Sequence, residues 1–191
     1  MFAKQTKRTT NAQIIMIDFK IRNVTTDDSP ALLEIYSHYV LNTAVSFEYE
    51  VPSAQEFSER IKRITEKYPY ICIIENGRIA GYAYANTFKE REAYQYCVEL
   101  SIYIDKNMHG KGFGRALYEE LEARLKKMGI LNAYACIAST KTEDEYLTNA
   151  SEHFHSHLGF KKCGEFLQCG LKFGRWYNMI WMEKFLGSHS N

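Results

Sequence analysis

The sequence predicts an α/β domain in which helices pack on the faces of a mixed β-sheet. Three observations predict it. Strand-like and helix-like segments alternate in the order β-α-α-β-β-β-α-β-α-β-β, no segment repeats another, and no low-complexity linker interrupts them. The length of 191 residues suits one domain with a substantial core.

The elements follow from local pattern. Residues 1–13 are polar and basic, and Ile14, Ile15, Met16 and Ile17 form too short an apolar run for a signal peptide. Residues 1–16 therefore read as a flexible extension, with Met16 a candidate natural start, residues 17–186 as one domain and 187–191 as a tail. Phe19 to Val24 alternates apolar and polar side chains, a strand signature. Thr25 to Pro30 offers capping residues and a proline at a helix start, and Leu32, Leu33, Ile35, Tyr36, Tyr39 and Val40 continue at helical spacing. A second helix begins at Ser53, where Ser-Ala-Gln-Glu reads as a capping box, with Phe57, Ile61 and Ile64 on one face.

Tyr70 to Glu75 and Ile79 to Asn86 are paired strands joined by Asn76-Gly77, a strong hairpin signal. Ala93 to Asp105 reads as a long third β segment. Gly112 to Met128 is helical, with Leu117, Leu121 and Leu125 on one face and Gly129 as its stop. Leu131 to Ala138 is a strand, residues 139–148 a polar, acidic surface loop, and Asn149 to His157 a short helix ended by Gly159. Lys161–Cys169 and Arg175–Phe185 are the last two β segments.

Composition narrows the function classes. Apolar residues make up 46% and charged residues 25%, so the chain is neither disordered nor a membrane protein in type. No apolar run reaches the roughly 18 residues of a membrane helix. A formal charge of +1 provides no field to recruit nucleic acid or anionic lipid, so an anionic ligand must be gripped by a local site. Five cysteines (Cys72, Cys97, Cys136, Cys163, Cys169) are an odd count without a CxxC pair. They read as reduced core thiols of a cytoplasmic protein, with neither a metal site nor a disulfide framework.

The most chemical segment runs from Ser101 to Arg115. A β-branched and aromatic strand enters a loop with three glycines, Gly110, Gly112 and Gly114, that opens onto an amphipathic helix. Glycines let a backbone approach a ligand closely, and a helix N-terminus supplies unpaired N–H groups and partial positive charge. The combination suits a phosphate. It is not a P-loop, which needs GxxxxGK followed by Ser or Thr. Nor is it GxGxxG, because Arg115 stands where the last glycine would be. A glycine-rich turn without a ligand remains the alternative at this point.

The segment His109-Gly110-Lys111-Gly112-Phe113-Gly114 resembles the Gln/Arg-x-x-Gly-x-Gly/Ala loop of the GNAT superfamily of N-acetyltransferases, with His at the first position. Further segments resemble its phosphinothricin acetyltransferase branch: Ser37–Val40, Val45–Phe47, Tyr68–Tyr70, Gly81–Ala85, Lys89–Tyr94, Val98–Ile104, His155–Phe160 and Gly170–Trp176. The likeness covers roughly residues 19 to 185. It implies a mixed, mostly antiparallel sheet with helices on both faces. It further implies acetyl-CoA as cofactor, transfer to the amine of a small amino-acid-like compound and a homodimer, with neither metal nor nucleic acid involved.

The resemblance also implies roles. Glu99 matches the catalytic glutamate, and its apolar strand would raise the carboxyl pKa toward general-base use. Ile102, Tyr103 and Ile104 would lie along the pantetheine through their backbone groups. His109, Gly110, Lys111, Gly112, Phe113, Gly114 and Arg115 would hold the diphosphate. His155 would protonate the departing thiolate, and Asn149 would contact the cofactor. Phe47, Arg91 and Tyr94 would border the acceptor, Arg91 as an anion clamp. The competing readings are a GNAT enzyme for a protein N-terminus, polyamine or aminoglycoside, and a non-catalytic acyl-CoA-binding module.

Overall fold

The computed structural model describes residues 3–10 and 13–189, with side chains from Asp18 onward. The described residues fall into two compact units. The first comprises the chain up to Ile35, Ser53–Ala85 and Ser101–Arg124; the second comprises Tyr36–Pro52, Asn86–Leu100 and the chain from Leu125 on.

In the first unit, β1 (Ala3–Thr10), β2 (Gln13–Asn23), β3 (Tyr70–Glu75) and β4 (Arg78–Thr87) pair in succession, each antiparallel to the one before. Asn76 and Gly77 carry φ of 50° and 78°, the left-handed pair that a two-residue hairpin requires. Helix α1 (Ser29–Asn42) is entered through a 3₁₀ turn at Thr26–Asp28. The Asp28 carboxylate accepts from the Thr25 amide at 2.9 Å and, in bidentate fashion, from Arg22 at 2.7 Å.

Helix α2 (Ala54–Thr65) buries Phe57, Ile61 and Ile64 and packs against β3. Each of these side chains contributes on the order of 1.5–3 kcal/mol of burial free energy. Ser53 caps α2 by accepting the Glu56 amide at 3.1 Å. Only this half of the expected capping box is formed, because the Glu56 carboxylate accepts from Arg60 at 2.6 Å. Helix α3 (Phe113–Lys127) starts in this unit with Phe113 edge-on to Phe19, their ring centroids 5.8 Å apart.

In the second unit the strand order is β5 (Cys97–Ile104), β6 (Asn132–Ser139), β8 (Arg175–Phe185), β7 (Lys161–Lys172), with β5–β6 parallel and the other pairs antiparallel. The last four residues of β5 belong to the first unit. One face of this sheet buries Val98, Ala133, Ala135, Ile137, Ile180 and Met182. Its opposite face carries Glu99, Tyr134, Cys136, Trp181 and Glu183 and is only partly covered. Helix α4 (Ala150–His157) ends at Gly159, whose φ is +90°.

The α/β class and the mixed, mostly antiparallel sheet are those expected, and four local readings are corrected. Residues 3–10, expected as a flexible extension, form strand β1 in register with β2. Lys and Thr dominate it, composition that suits an edge strand. Ala93 and Tyr94, expected within a strand, belong to a 3₁₀ turn (Glu92–Tyr94) closed by the Tyr94 amide on the Arg91 carbonyl at 2.9 Å. Strand β7 runs on to Lys172 past irregularities in register, one of which contains Gln168 at φ +48°. The cysteines are all free thiols, yet only Cys72 is in the core; Cys136, Cys163 and Cys169 are exposed because alternation along their strands turns them outward. Among the described residues no helix is long and apolar enough to cross a membrane.

Candidate active site

The glycine loop is built in the first unit, between the end of β5 and α3. Gly110 and Gly112 have φ of +73° and +85°, conformations that glycine adopts without the Cβ penalty. They bring the chain to the N-terminus of α3, where by geometry the first N–H groups have no intrahelical acceptor. The side chains of the loop point to its own scaffold. Lys111 Nζ donates to both Glu75 oxygens at 2.9 and 2.6 Å and lies 3.3 Å from Met108 Sδ. His109 Nε2 is 3.2 Å from the Ile104 carbonyl, to which it donates. The Asp105 carboxylate accepts the Asn107 amide at 2.8 Å. Arg115 is exposed, its guanidinium 3.9 Å from Glu119.

Ile102, Tyr103 and Ile104 are half-buried at the end of β5. A Cβ on Gly81 would lie 2.9 Å from the Tyr103 carbonyl and 2.5 Å from Ile104 Cδ1. Gly81 therefore lets β4 approach this strand more closely than any side chain allows. The Tyr103 ring leans on Tyr82, with centroids 5.4 Å apart.

The second unit carries Glu99, His155, Asn149, Phe47, Arg91 and Tyr94. Glu99 is half-buried opposite Tyr134 on β6. Burial raises its carboxyl pKa, and the nearby Lys89 charge partly offsets the rise. Tyr134 stacks on Phe88 at 4.3 Å, Trp181 meets the Phe88 ring edge-on at 5.6 Å, and Tyr94 does so at 5.8 Å. An aromatic cluster thus connects Tyr94 to the strand pair that bears Glu99. Arg91 is exposed at the start of the same 3₁₀ turn. Phe47 belongs to another cluster, packed on Ala44, Leu147 and Tyr177.

Asn149 and His155 are both held by local hydrogen bonds. Asn149 Oδ1 accepts the Thr140 amide at 3.2 Å and Nδ2 donates to the Thr140 carbonyl at 2.9 Å, so the carboxamide ties together the ends of the long loop. His155, expected as the acid, lies on α4. The side chain is 3% exposed, Nδ1–H donates to the Ser151 carbonyl at 2.7 Å, and burial lowers its pKa to about 4. Through this bond the ring fastens one turn of α4.

Sequence reasoning overlooked Glu75, Gly170, Lys172 and Asp144. Asp144 accepts the amides of Tyr146 and Leu147 at 2.8 and 2.9 Å, the Tyr177 hydroxyl at 3.0 Å and Arg175 at 2.9 Å, which organises the long loop. The only sequence sign of these roles was the Gly170–Trp176 segment, which carried a resemblance but no assigned function.

Fold and loop together define the class: the chain belongs to the acetyltransferase (GNAT) domain family, whose sequence model matches residues 21–181. Among curated relatives it is similar to a phosphinothricin N-acetyltransferase of Alcaligenes faecalis, 32% identical over 86% of this chain and 81% of that one. It is also similar to the L-methionine sulfoximine/L-methionine sulfone acetyltransferase of Salmonella typhimurium, 30% identical over 85% and 92%. Among solved structures, a phosphinothricin acetyltransferase from Sinorhizobium meliloti in complex with AcCoA superposes with a TM-score of 0.81 at 34% identity, covering 88% of this chain and 89% of that one.

Because His155 is neutral when folded and titrates near its ordinary value of about 6.5 when unfolded, the unfolded chain binds more protons between those pKa values. Its contribution is therefore complete above about pH 6.5 and is lost as pH falls toward 4. Urea denaturation should show the wild type losing up to about 3 kcal/mol more than His155→Gln over that window. Parallel stability–pH curves would refute the burial argument.

Proposed function

We propose that this protein is an acetyl-CoA-dependent N-acetyltransferase for the amine of a small amino-acid-like compound of the phosphinothricin, methionine sulfone or methionine sulfoximine type. The observation that carries the proposal is the left-handed backbone at Gly110 and Gly112, which leads into the first turn of α3. That backbone fits a diphosphate, since a Cβ at either glycine would occupy a strained conformation beside the N–H donors. Relatives that acetylate such compounds, and a related structure holding AcCoA, support the same reading.

Bound acetyl-CoA supplies an acetyl group activated as a thioester. The main-chain N–H groups of residues 110–115 bind its diphosphate, assisted by the exposed Arg115. His109, Lys111, Phe113 and Gly114 act through their backbone. The backbone of Ile102, Tyr103 and Ile104 pairs with the pantetheine amides, and an N–H of this strand stabilises the developing oxyanion. Arg91 clamps the acceptor's acidic group, while Tyr94 and Phe47 border its carbon chain.

An α-amine titrates near about 8, so at neutral pH it must lose a proton before it can attack. Glu99 accepts that proton, directly or through a water, its raised carboxyl pKa bringing it nearer the working pH. A thiolate of pKa about 8.5 is a fair leaving group, so the acid role assigned to His155 is a modest one. Asn149 orders the loop that precedes α4. Free thiols at all five cysteines suit a reducing, cytoplasmic setting.

The protein is further proposed to act as a homodimer. Strand β7 is the outer strand of its sheet, and the β7–β8 hairpin leaves Phe166, Leu167, Leu171 and Trp176 42–63% exposed. An apolar edge of this kind calls for a cover. Sedimentation should give twice the chain mass, reduced to the chain mass by Phe166→Glu with Leu167→Glu; a wild type that is monomeric at every concentration would remove the dimer.

Thiol release from acetyl-CoA with a panel of amino-acid analogues, polyamines and peptides tests the reaction. Turnover with the amino-acid analogues is expected, and binding of acetyl-CoA without turnover of any amine would overturn the enzyme reading. Glu99→Gln should lower the rate at neutral pH on the order of 10²-fold with acetyl-CoA affinity unchanged. An undiminished rate would remove Glu99 from the reaction. Gly112→Val should abolish detectable coenzyme A binding in calorimetry, and a preserved binding isotherm would sink the diphosphate assignment.

A further inference from the structure

Lys172, at the end of β7, is 2% exposed, an unusual place for an ammonium. Its Nζ donates to the carbonyls of Val40 at 2.7 Å, Thr43 at 2.8 Å and Ser46 at 2.6 Å. Three donors meet three acceptors. The Val40 carbonyl is among the last four of α1, which have no intrahelical donor, and a cation is favoured at that helix end. The ammonium thus closes the turn that follows α1. Other contacts fasten the same turn. Thr43 Oγ1 donates to the Tyr39 carbonyl at 2.7 Å, the Ala44 amide to Tyr146 at 2.9 Å, and the hydroxyls of Tyr36 and Ser46 are 2.9 Å apart.

The turn delivers Phe47. A Cβ built on Gly170, two residues before Lys172, would lie 2.3 Å from Phe47 Cε2 and 2.5 Å from Cζ, so the ring rests on bare glycine backbone. One stretch of β7 therefore supplies both the seat for the ring and the cation that sets its height. Burial lowers the Lys172 pKa and the Glu48 charge opposes the fall.

We infer that Lys172 is a positioning residue for the acceptor: by gathering the carbonyls of Val40, Thr43 and Ser46 it fixes the 43–47 turn and thereby sets the Phe47 ring against Gly170. The inference rests on the reading that Phe47 borders the acceptor.

The test compares steady-state kinetics of wild type, Phe47→Ala, Lys172→Met and Gly170→Ala, with L-methionine sulfone and acetyl-CoA varied separately. Lys172→Met should raise the KM for the sulfone at least tenfold while leaving the KM for acetyl-CoA within twofold. Gly170→Ala should give the same split by displacing the ring from the other side. The Lys172→Met, Gly170→Ala double variant should be little worse than the poorer single variant, because both act through one ring.

A folded Lys172→Met protein with a lower Tm but an unchanged sulfone KM would make the lysine merely structural and overturn the inference. If Lys172→Met does not fold, Lys172→Gln decides: it keeps two N–H donors on a shorter, uncharged arm, and an unchanged sulfone KM overturns the inference equally. Failure of the underlying reading looks different. In that case Phe47→Ala leaves the sulfone KM unaltered, or the wild type acetylates no amino-acid analogue at all.

Discussion

A loop that offers its main-chain N–H groups to a ligand cannot also spend them on holding itself in place. That constraint governs the first unit. The cradle at residues 110–112 uses left-handed glycines to aim its backbone, and its stiffness comes from side chains that turn the other way. Lys111, itself partly exposed, reaches the buried Glu75 carboxylate, and His109 returns to the Ile104 carbonyl. An ion pair with little water around it and bidentate contact is worth more than an exposed one. Burying the Lys111 charge against Glu75 has a second effect. The positive potential of the loop is left to the helix end and to the exposed Arg115.

The second unit solves a similar problem with one short segment. Between Gly170 and Arg175, three residues address three different neighbours. Gly170 takes the Phe47 ring, Lys172 the end of α1, and Arg175 the acidic pair Asp144 and Glu145. Phe173 and Gly174 make the hairpin turn itself, with φ of 50° and 72°. A phenylalanine in that conformation costs about 1–2 kcal/mol, and stacking of its ring on Tyr146, 4.2 Å away, offsets the strain.

What the sequence disclosed and what it hid divide along a physical line. Helices α2 and α3, the Asn76-Gly77 hairpin and the glycine loop were legible because local periodicity and backbone preference determine them. The burial of His155 was not, because Ser151 lies within its own helix but Phe160, which packs against it, lies beyond the helix. Nor were the partners of Lys111 and Lys172, which stand 36 and 126 to 132 residues away in the chain. A lysine in an alternating strand looks like a solvent-facing residue until the fold brings carbonyls to it. Strand β1 was hidden for another reason. Its sequence is polar apart from Ala3, and pairing with β2 rather than any apolar pattern makes it a strand. The Glu99 assignment came from its resemblance, and the half-buried, raised-pKa carboxyl is compatible with that role without depending on it.

The way Lys111 and His109 are engaged has a consequence for how such a loop can vary over evolutionary time. If the ligand meets only peptide groups, the side chains between the glycines are free to drift, so long as whatever replaces them finds some anchor on the surrounding scaffold. Histidine at position 109 then acts as a tether to the Ile104 carbonyl. The glycines have no such latitude, because their role is the absence of a side chain.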